Sequence, residues 1–274
     1  MSSGFDVFIP VGPNDFEIIK YSIKNLNKKI IGYKNINVFS EYRDLNIKNT
    51  IDIKEDFFPF TKEEITNLVK NKNRAGWIYQ QLVCLYFPYL QNSSEKVLVV
   101  DSDVFFTKKT YFEIDNKGIF TTSNENHQPY FDHMSKLHPS IKKFNEQSGI
   151  SHHMLFDKSI SNSMFNLIEN YHQKELYKVY IEKLNPAEES PSADYEIYYN
   201  YALNFFEDKY ILRTLRWSNL EKLSLDSYFN FDMISLPHWK QTRPANIKFH
   251  LKNRNFKQAL YCFSNYLFLK LLFS

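Results

Sequence analysis

Two aspartates one residue apart, Asp101 and Asp103 in the run Val97-Leu98-Val99-Val100-Asp101-Ser102-Asp103-Val104-Phe105-Phe106, are the strongest chemical signal in the chain. Four apolar, β-prone residues precede them and three follow. Both acids are therefore expected at the carboxyl end of a buried strand, where open α/β sheets bind their ligands. Carboxylates at this spacing can share one hard divalent cation, Mn²⁺ or Mg²⁺, which takes oxygen ligands and leaves room for substrate phosphates. A bare Asp-x-Asp also occurs on solvated acidic loops; the apolar runs on both sides are what favour a metal site. His152 and His153 form a second pair. Neighbours on an extended strand point to opposite faces, so one of them, expected to be His153, faces a ligand and the other is structural. Zinc is disfavoured, because no Cys/His set has ligand spacing and the two cysteines, Cys84 and Cys262, stand far apart in apolar contexts.

The elements that must position these residues read as strands alternating with helices. Phe5 to Val11 is a β-rich run closed by Gly12-Pro13-Asn14, and Phe16, Ile19, Ile23 and Leu26 then recur on one side of a helix. Ile36 to Ser40 reads as a second strand. Thr61 to Glu64 has the form of a capping box ahead of Ile65, Leu68 and Val69. A helix is predicted from Arg74 to Leu90, a buried parallel strand at Lys96 to Val100, and strands at Gly118 to Thr122 and His153 to Phe156. Further helices are predicted at Ser159 to Tyr171 and at Asp194 to Phe206, the latter after the Pro-containing loop Asn185 to Ser192. Such alternation predicts an α/β fold around a mainly parallel sheet. With no internal repeat and no Gly/Ser linker, one domain is expected over residues 1–247, followed by a basic, aromatic helix over 248–274.

The same pieces, in this order, resemble the Asp-x-Asp glycosyltransferases of GT-A fold, of the type found in bacterial polysaccharide clusters and large DNA viruses. The matching segments are Ile9 to Asp15, Gly76-Trp77-Ile78-Tyr79-Gln80-Gln81, Asp101 to Asp103, Ser151 to Phe156 and Ser192 to Tyr198. The resemblance implies a Rossmann-like GT-A domain and transfer of a sugar from a nucleoside diphosphate sugar to a glycan or lipid-linked acceptor. A cation would neutralise the departing diphosphate. Asp103 would bind that metal directly and Asp101 the metal or the ribose, with Ser102 between them. A histidine near the C-terminus would complete the shell, His238 rather than His250, because His238 follows the apolar run Met233 to Leu236. Arg74, Trp77 and Gln81 would line the donor side, and Gln80, His152 and His153 would meet sugar. Glu196, with Asp194 beside it, would be the base that faces the acceptor hydroxyl, which makes the expected reaction inverting. The bland alternative for both acids is a favourable place in the first turn of a helix.

Composition bounds the remaining readings. In 274 residues, Lys+Arg 34 against Asp+Glu 31 leaves a formal +3, too little for a nucleic-acid footprint. The N-terminus lacks a basic and apolar leader, so a cytoplasmic location is expected, with peripheral contact at the inner face of a membrane. Leu260, Phe263, Leu267 and Leu271 are spaced like one core-facing helical side, and the apolar residues left over would then need cover from a membrane or a partner. Two other function classes compete: a carbohydrate-binding protein without turnover, and an Asp-x-Asp phosphatase. The second is weakened by Phe105, which stands where that motif usually carries Thr.

Overall fold

The structure, a computed structural model, describes residues 4–240 and 244–273. The chain divides into two compact units, each assembled from three stretches: Met1–Pro10, Gly32–Val100 and Phe112–Thr214 in the first, Val11–Ile31, Asp101–Tyr111 and Leu215–Ser274 in the second. The boundary expected at residue 247 falls inside the second unit, whose last stretch runs from Leu215 to Ser274.

The first unit is α/β. Among the described residues its main sheet has five strands, in the order His153–Asp157, Lys96–Val100, Phe5–Pro10, Tyr33–Phe39, Ile51–Ile53. Val7 pairs with Ile36 on one side and Leu98 on the other, both in parallel register. Apolar runs such as Lys96–Val100, in which all but Lys96 are buried, suit a sheet covered on both faces. One strand departs from the expectation: His153–Asp157 runs antiparallel, with Met154 opposite Val99. Helix Ala75–Leu90 is buried over most of its circumference, and Phe87 stacks on Phe8 of the central strand at 4.0 Å between ring centroids. The Thr61 side chain caps helix Lys62–Leu68 by accepting from the Glu64 N–H. The reciprocal half of the predicted box does not form; Glu64 accepts instead from the Tyr177 hydroxyl at 2.9 Å.

Helix Gln128–Leu137 brings His133 into this core, 2.9 Å from the carbonyl of Tyr180. Burial lowers its pKa from 6.5 to about 4. The unfolded chain therefore takes up a proton that the native state refuses as pH falls below 6.5, and stability declines until the native imidazole itself titrates near 4. Across that window His133 alone should remove about 3 kcal/mol. Urea melts at pH 7 and pH 5 measure the slope, and His133→Gln, which retains a donor for Tyr180, should flatten it.

In the second unit, strand Val104–Phe106 pairs antiparallel with Met233–Ser235, which pairs parallel with Trp217–Asn219. Phe105 and Ile234 pack with Ile18, Tyr21, Leu223, Leu236, Phe268 and Leu269. Helix Phe256–Phe273 supplies the last two of these and also the buried Asn265, which accepts from the Leu223 N–H at 2.7 Å and donates to the Glu221 carbonyl at 2.9 Å. Its core-facing side is Ala259, Cys262, Asn265, Phe268 and Leu269. The expected side is the opposite one: Leu260, Phe263, Leu267 and Leu271 are exposed. Of the residues in that segment, the side chain of Phe273 and all of Ser274 lie outside the described residues.

Candidate active site

In the second unit the Asp-x-Asp loop is held by dedicated contacts. The two polar residues on the inner side of helix Ile19–Lys29 do this. Ser22 donates to the Val104 carbonyl at 3.0 Å, while Asn25 donates to the Phe106 carbonyl at 2.8 Å and accepts its N–H at 2.7 Å. A buried amide that mimics a strand neighbour costs little because both of its groups are paired. The Ser102 hydroxyl donates to the carboxylate of Asp15, in the turn Pro13–Asp15, so Ser102 ties two loops together rather than facing a ligand. The Leu236 N–H donates to the Asp103 carbonyl at 3.1 Å. Asp103 is buried and Asp101 half-buried, and their nearest carboxylate oxygens lie within 4.8 Å of one another. Oxygens this near one another can close on one hard cation with a small side-chain adjustment, since ligand distances of about 2.0–2.6 Å are typical of Mg²⁺ and Ca²⁺. His238 is exposed in the short helix His238–Lys240 after strand Met233–Ser235, and His250 is buried beside Phe249. Sequence reading singles out neither Ser22 nor Asn25, and it gives Asp15 no role beyond its place in the first matching segment. Two polar residues on the side of a helix that otherwise carries Ile19, Ile23 and Leu26 inward were the available signal.

In the first unit, Arg74 immediately precedes helix Ala75–Leu90 and its guanidinium lies over the Trp77 ring at 4.3 Å from the centroid. Its Nε is buried with no hydrogen-bond partner among the described residues. Arg74 also lines a cavity of about 360 Å³ walled by Leu68, Val69, Ile78, Ile181 and Leu184. Gln80 is exposed. Gln81 is not available to a donor: its amide donates to the Ser192 carbonyl at 3.3 Å and accepts from the Ser192 and Tyr180 hydroxyls, which fixes the loop before helix Asp194–Phe206. Burial raises the Tyr130 phenol to about 12, the charge of Asp194 pushing the same way and that of Arg74 against it.

Two expectations are corrected by burial. His153, expected to face a ligand, is the structural member of its pair: it shares a 2.8 Å hydrogen bond with Thr121, meets the Phe112 ring edge-on, and is held neutral by burial and by the charge of Arg213. His152 is the half-buried one, in the left-handed region at φ 61°. That backbone costs about 1 kcal/mol or more in a non-glycine residue and clusters at functional sites. Glu196, expected as the base, is fully buried and both of its oxygens are occupied. Oε2 accepts from Ser148 at 2.6 Å and the Gly149 N–H at 3.0 Å, and Oε1 accepts from Asn200 at 2.9 Å. Desolvation raises its pKa, opposed by these same bonds. A Cβ at Gly149 would stand 2.5 Å from Tyr199, so the loop lies directly on the helix that Glu196 joins it to.

Comparison with known proteins adds the following. A family described as a family of unknown function (DUF6492) matches residues 2–235. No curated protein matches the chain. Among solved structures it is similar to an active-site mutant of LgtC, with 12% identity, 80% of this chain and 74% of that one covered, and a TM-score of 0.40. It is also similar to galactosyltransferase LgtC in complex with donor and acceptor sugar analogues, with 11% identity, 84% and 86% covered, and a TM-score of 0.41. A third is mouse xyloside xylosyltransferase 1 in its apo form, with 7% identity, 85% and 97% covered, and a TM-score of 0.42.

Proposed function

The chain belongs to the DUF6492 family of unknown function, and we propose that it is a GT-A glycosyltransferase. It moves a sugar from a nucleoside diphosphate sugar to a glycan or lipid-linked saccharide at the cytoplasmic face of a membrane. The observation that carries this reading is the pair Asp101 and Asp103 at the end of a buried strand, their carboxylates close together and their loop pinned by Ser22, Asn25 and Ser102.

The donor set suits a hard cation. Asp101 and Asp103 would hold Mn²⁺ or Mg²⁺ through carboxylate oxygens, and His238, in the same unit, would be the candidate for an imidazole ligand. When bound, that ion supplies the positive charge that stabilises a departing diphosphate. The protein's own part is positioning. Arg74, braced on Trp77 and with an uncommitted Nε, brings a second positive charge to the phosphates. Of the two acids in this turn we assign the acceptor-facing role to Asp194, which is 7% exposed where Glu196 is fully buried and holds a loop through both oxygens. Glu196 instead holds the Ser148-Gly149 loop to helix Asp194–Phe206. With Asp194 as base the transfer inverts.

Incubation with nucleoside diphosphate sugars and Mn²⁺ distinguishes the competing classes. Slow release of free sugar and nucleoside diphosphate is the expected result. Release of inorganic phosphate from simple phosphate esters would make the protein a phosphatase, and binding of sugar without turnover would make it a lectin-like protein.

A further inference from the structure

Helix Phe256–Phe273 buries one side and leaves an apolar stripe on the other. Phe256 is 68% exposed, Leu260 63%, Phe263 49%, Leu267 49% and Leu271 76%, at spacings of 4, 3, 4 and 4 residues along one helical side. Phe249 and Leu251 of helix Ile247–Lys252 add two more exposed apolar side chains. Single exposed leucines are ordinary on a protein surface, but seven in 23 residues are not. Among the described residues no helix is long and apolar enough to cross a membrane.

Charge identifies the occupant. From Ile247 to Ser274 there is no Asp or Glu, while Lys248, Lys252, Arg254, Lys257 and Lys270 are all present and exposed. The second unit as a whole carries 15 Lys+Arg against 7 Asp+Glu, a formal +8, and the first carries 19 against 24, a formal −5. The +3 of the whole chain therefore conceals a strongly basic unit. Lys257 and Lys270 lie over Tyr261 and Tyr266, at 5.7 and 4.8 Å from the ring centroids, a pairing of amphipathic groups suited to the boundary between water and lipid. A folded protein partner would satisfy the apolar stripe. It would not by itself account for a basic frame without a single acid.

We propose that helices Ile247–Lys252 and Phe256–Phe273 form a face that docks on an anionic lipid bilayer, the apolar stripe entering the headgroup boundary and the flanking Lys and Arg meeting lipid phosphates. Docking involves no substrate, so it stands or falls independently of the transfer chemistry. The helix also completes the core of its unit through Phe268, Leu269 and Asn265, so deleting it would test folding rather than docking.

The test uses the full chain and exposed-residue variants. Flotation on vesicles with about one third phosphatidylglycerol should recover the wild type, and pure phosphatidylcholine vesicles should recover much less. Phe263→Ser combined with Leu267→Ser should weaken partitioning by about tenfold or more while leaving the melting temperature unchanged, since both side chains are about half exposed. Lys252→Glu combined with Lys257→Glu should remove most of the preference for anionic lipid. Wild-type and serine-variant proteins that float equally, or a wild type that does not float, would overturn the proposal. So would a wild type that runs as a dimer which the serine variant dissociates, because a second copy would then cover the stripe.

Discussion

Replacing Asp103 with alanine should abolish metal-dependent binding of a nucleoside diphosphate sugar while the protein stays folded. One of the two carboxylates that fit a shared cation is lost, and a divalent ion on a phosphate-bearing ligand contributes several kcal/mol. The expected loss of donor affinity in the presence of Mn²⁺ is at least ~100-fold, about 2.7 kcal/mol. Without metal, wild type and variant should bind equally weakly. The variant should stay folded, because the loop keeps the bond from the Leu236 N–H to the Asp103 carbonyl and the ties made by Ser102, Ser22 and Asn25. Calorimetric titration with and without Mn²⁺ measures this. Unchanged affinity in the variant would remove Asp103 from the metal site.

Glu196→Ala should unfold easily, and Asp194→Asn should fold well but turn over slowly. Truncating Glu196 leaves the Ser148 hydroxyl, the Gly149 N–H and the Asn200 amide without their acceptor inside the core. Buried donors left in that state cost about 1–3 kcal/mol each, so a loss of ~3–5 kcal/mol and a fall in melting temperature of about 10 °C are expected. Glu196→Gln keeps the volume but presents a donor where an acceptor is required, and should fall between wild type and alanine. Asp194→Asn removes a charge and a proton acceptor but little volume, so donor affinity should persist while turnover drops by about 100-fold or more. Melting curves beside initial rates separate the two acids. A Glu196→Gln protein with wild-type stability and no turnover would return the base to Glu196.

How much of this was legible beforehand follows from the kind of signal each residue emits. Strand Lys96–Val100 and helix Asp194–Phe206 were found at their observed bounds because an unbroken β-branched run and an acid-rich start after a Pro loop are local signals. The direction of strand His153–Asp157 was not legible, since pairing depends on the distant partner Lys96–Val100. Nor was the choice within His152-His153: the left-handed backbone of His152 breaks the alternation on which a strand argument rests. The burial of Glu196 is not legible either, because an acid in a first helical turn looks the same whether it faces solvent, a substrate or a loop that folds over it. The face of helix Phe256–Phe273 came out reversed because a helix apolar nearly all round has no dominant side. There the buried side carries Asn265, hydrogen-bonded to Leu223 and Glu221, together with Phe268 and Leu269.

The central claim, a metal-dependent site for a nucleoside diphosphate sugar, is tested most directly by thermal shift across a panel of nucleoside diphosphate sugars, each with Mn²⁺ and with chelator. A ligand selective for the native state raises the melting temperature as its concentration passes Kd. The expected result is that at least one donor raises it with Mn²⁺ and not with chelator, and that Asp103→Ala loses the rise. A panel in which no donor stabilises the protein with Mn²⁺, or in which stabilisation is the same with chelator, would contradict it.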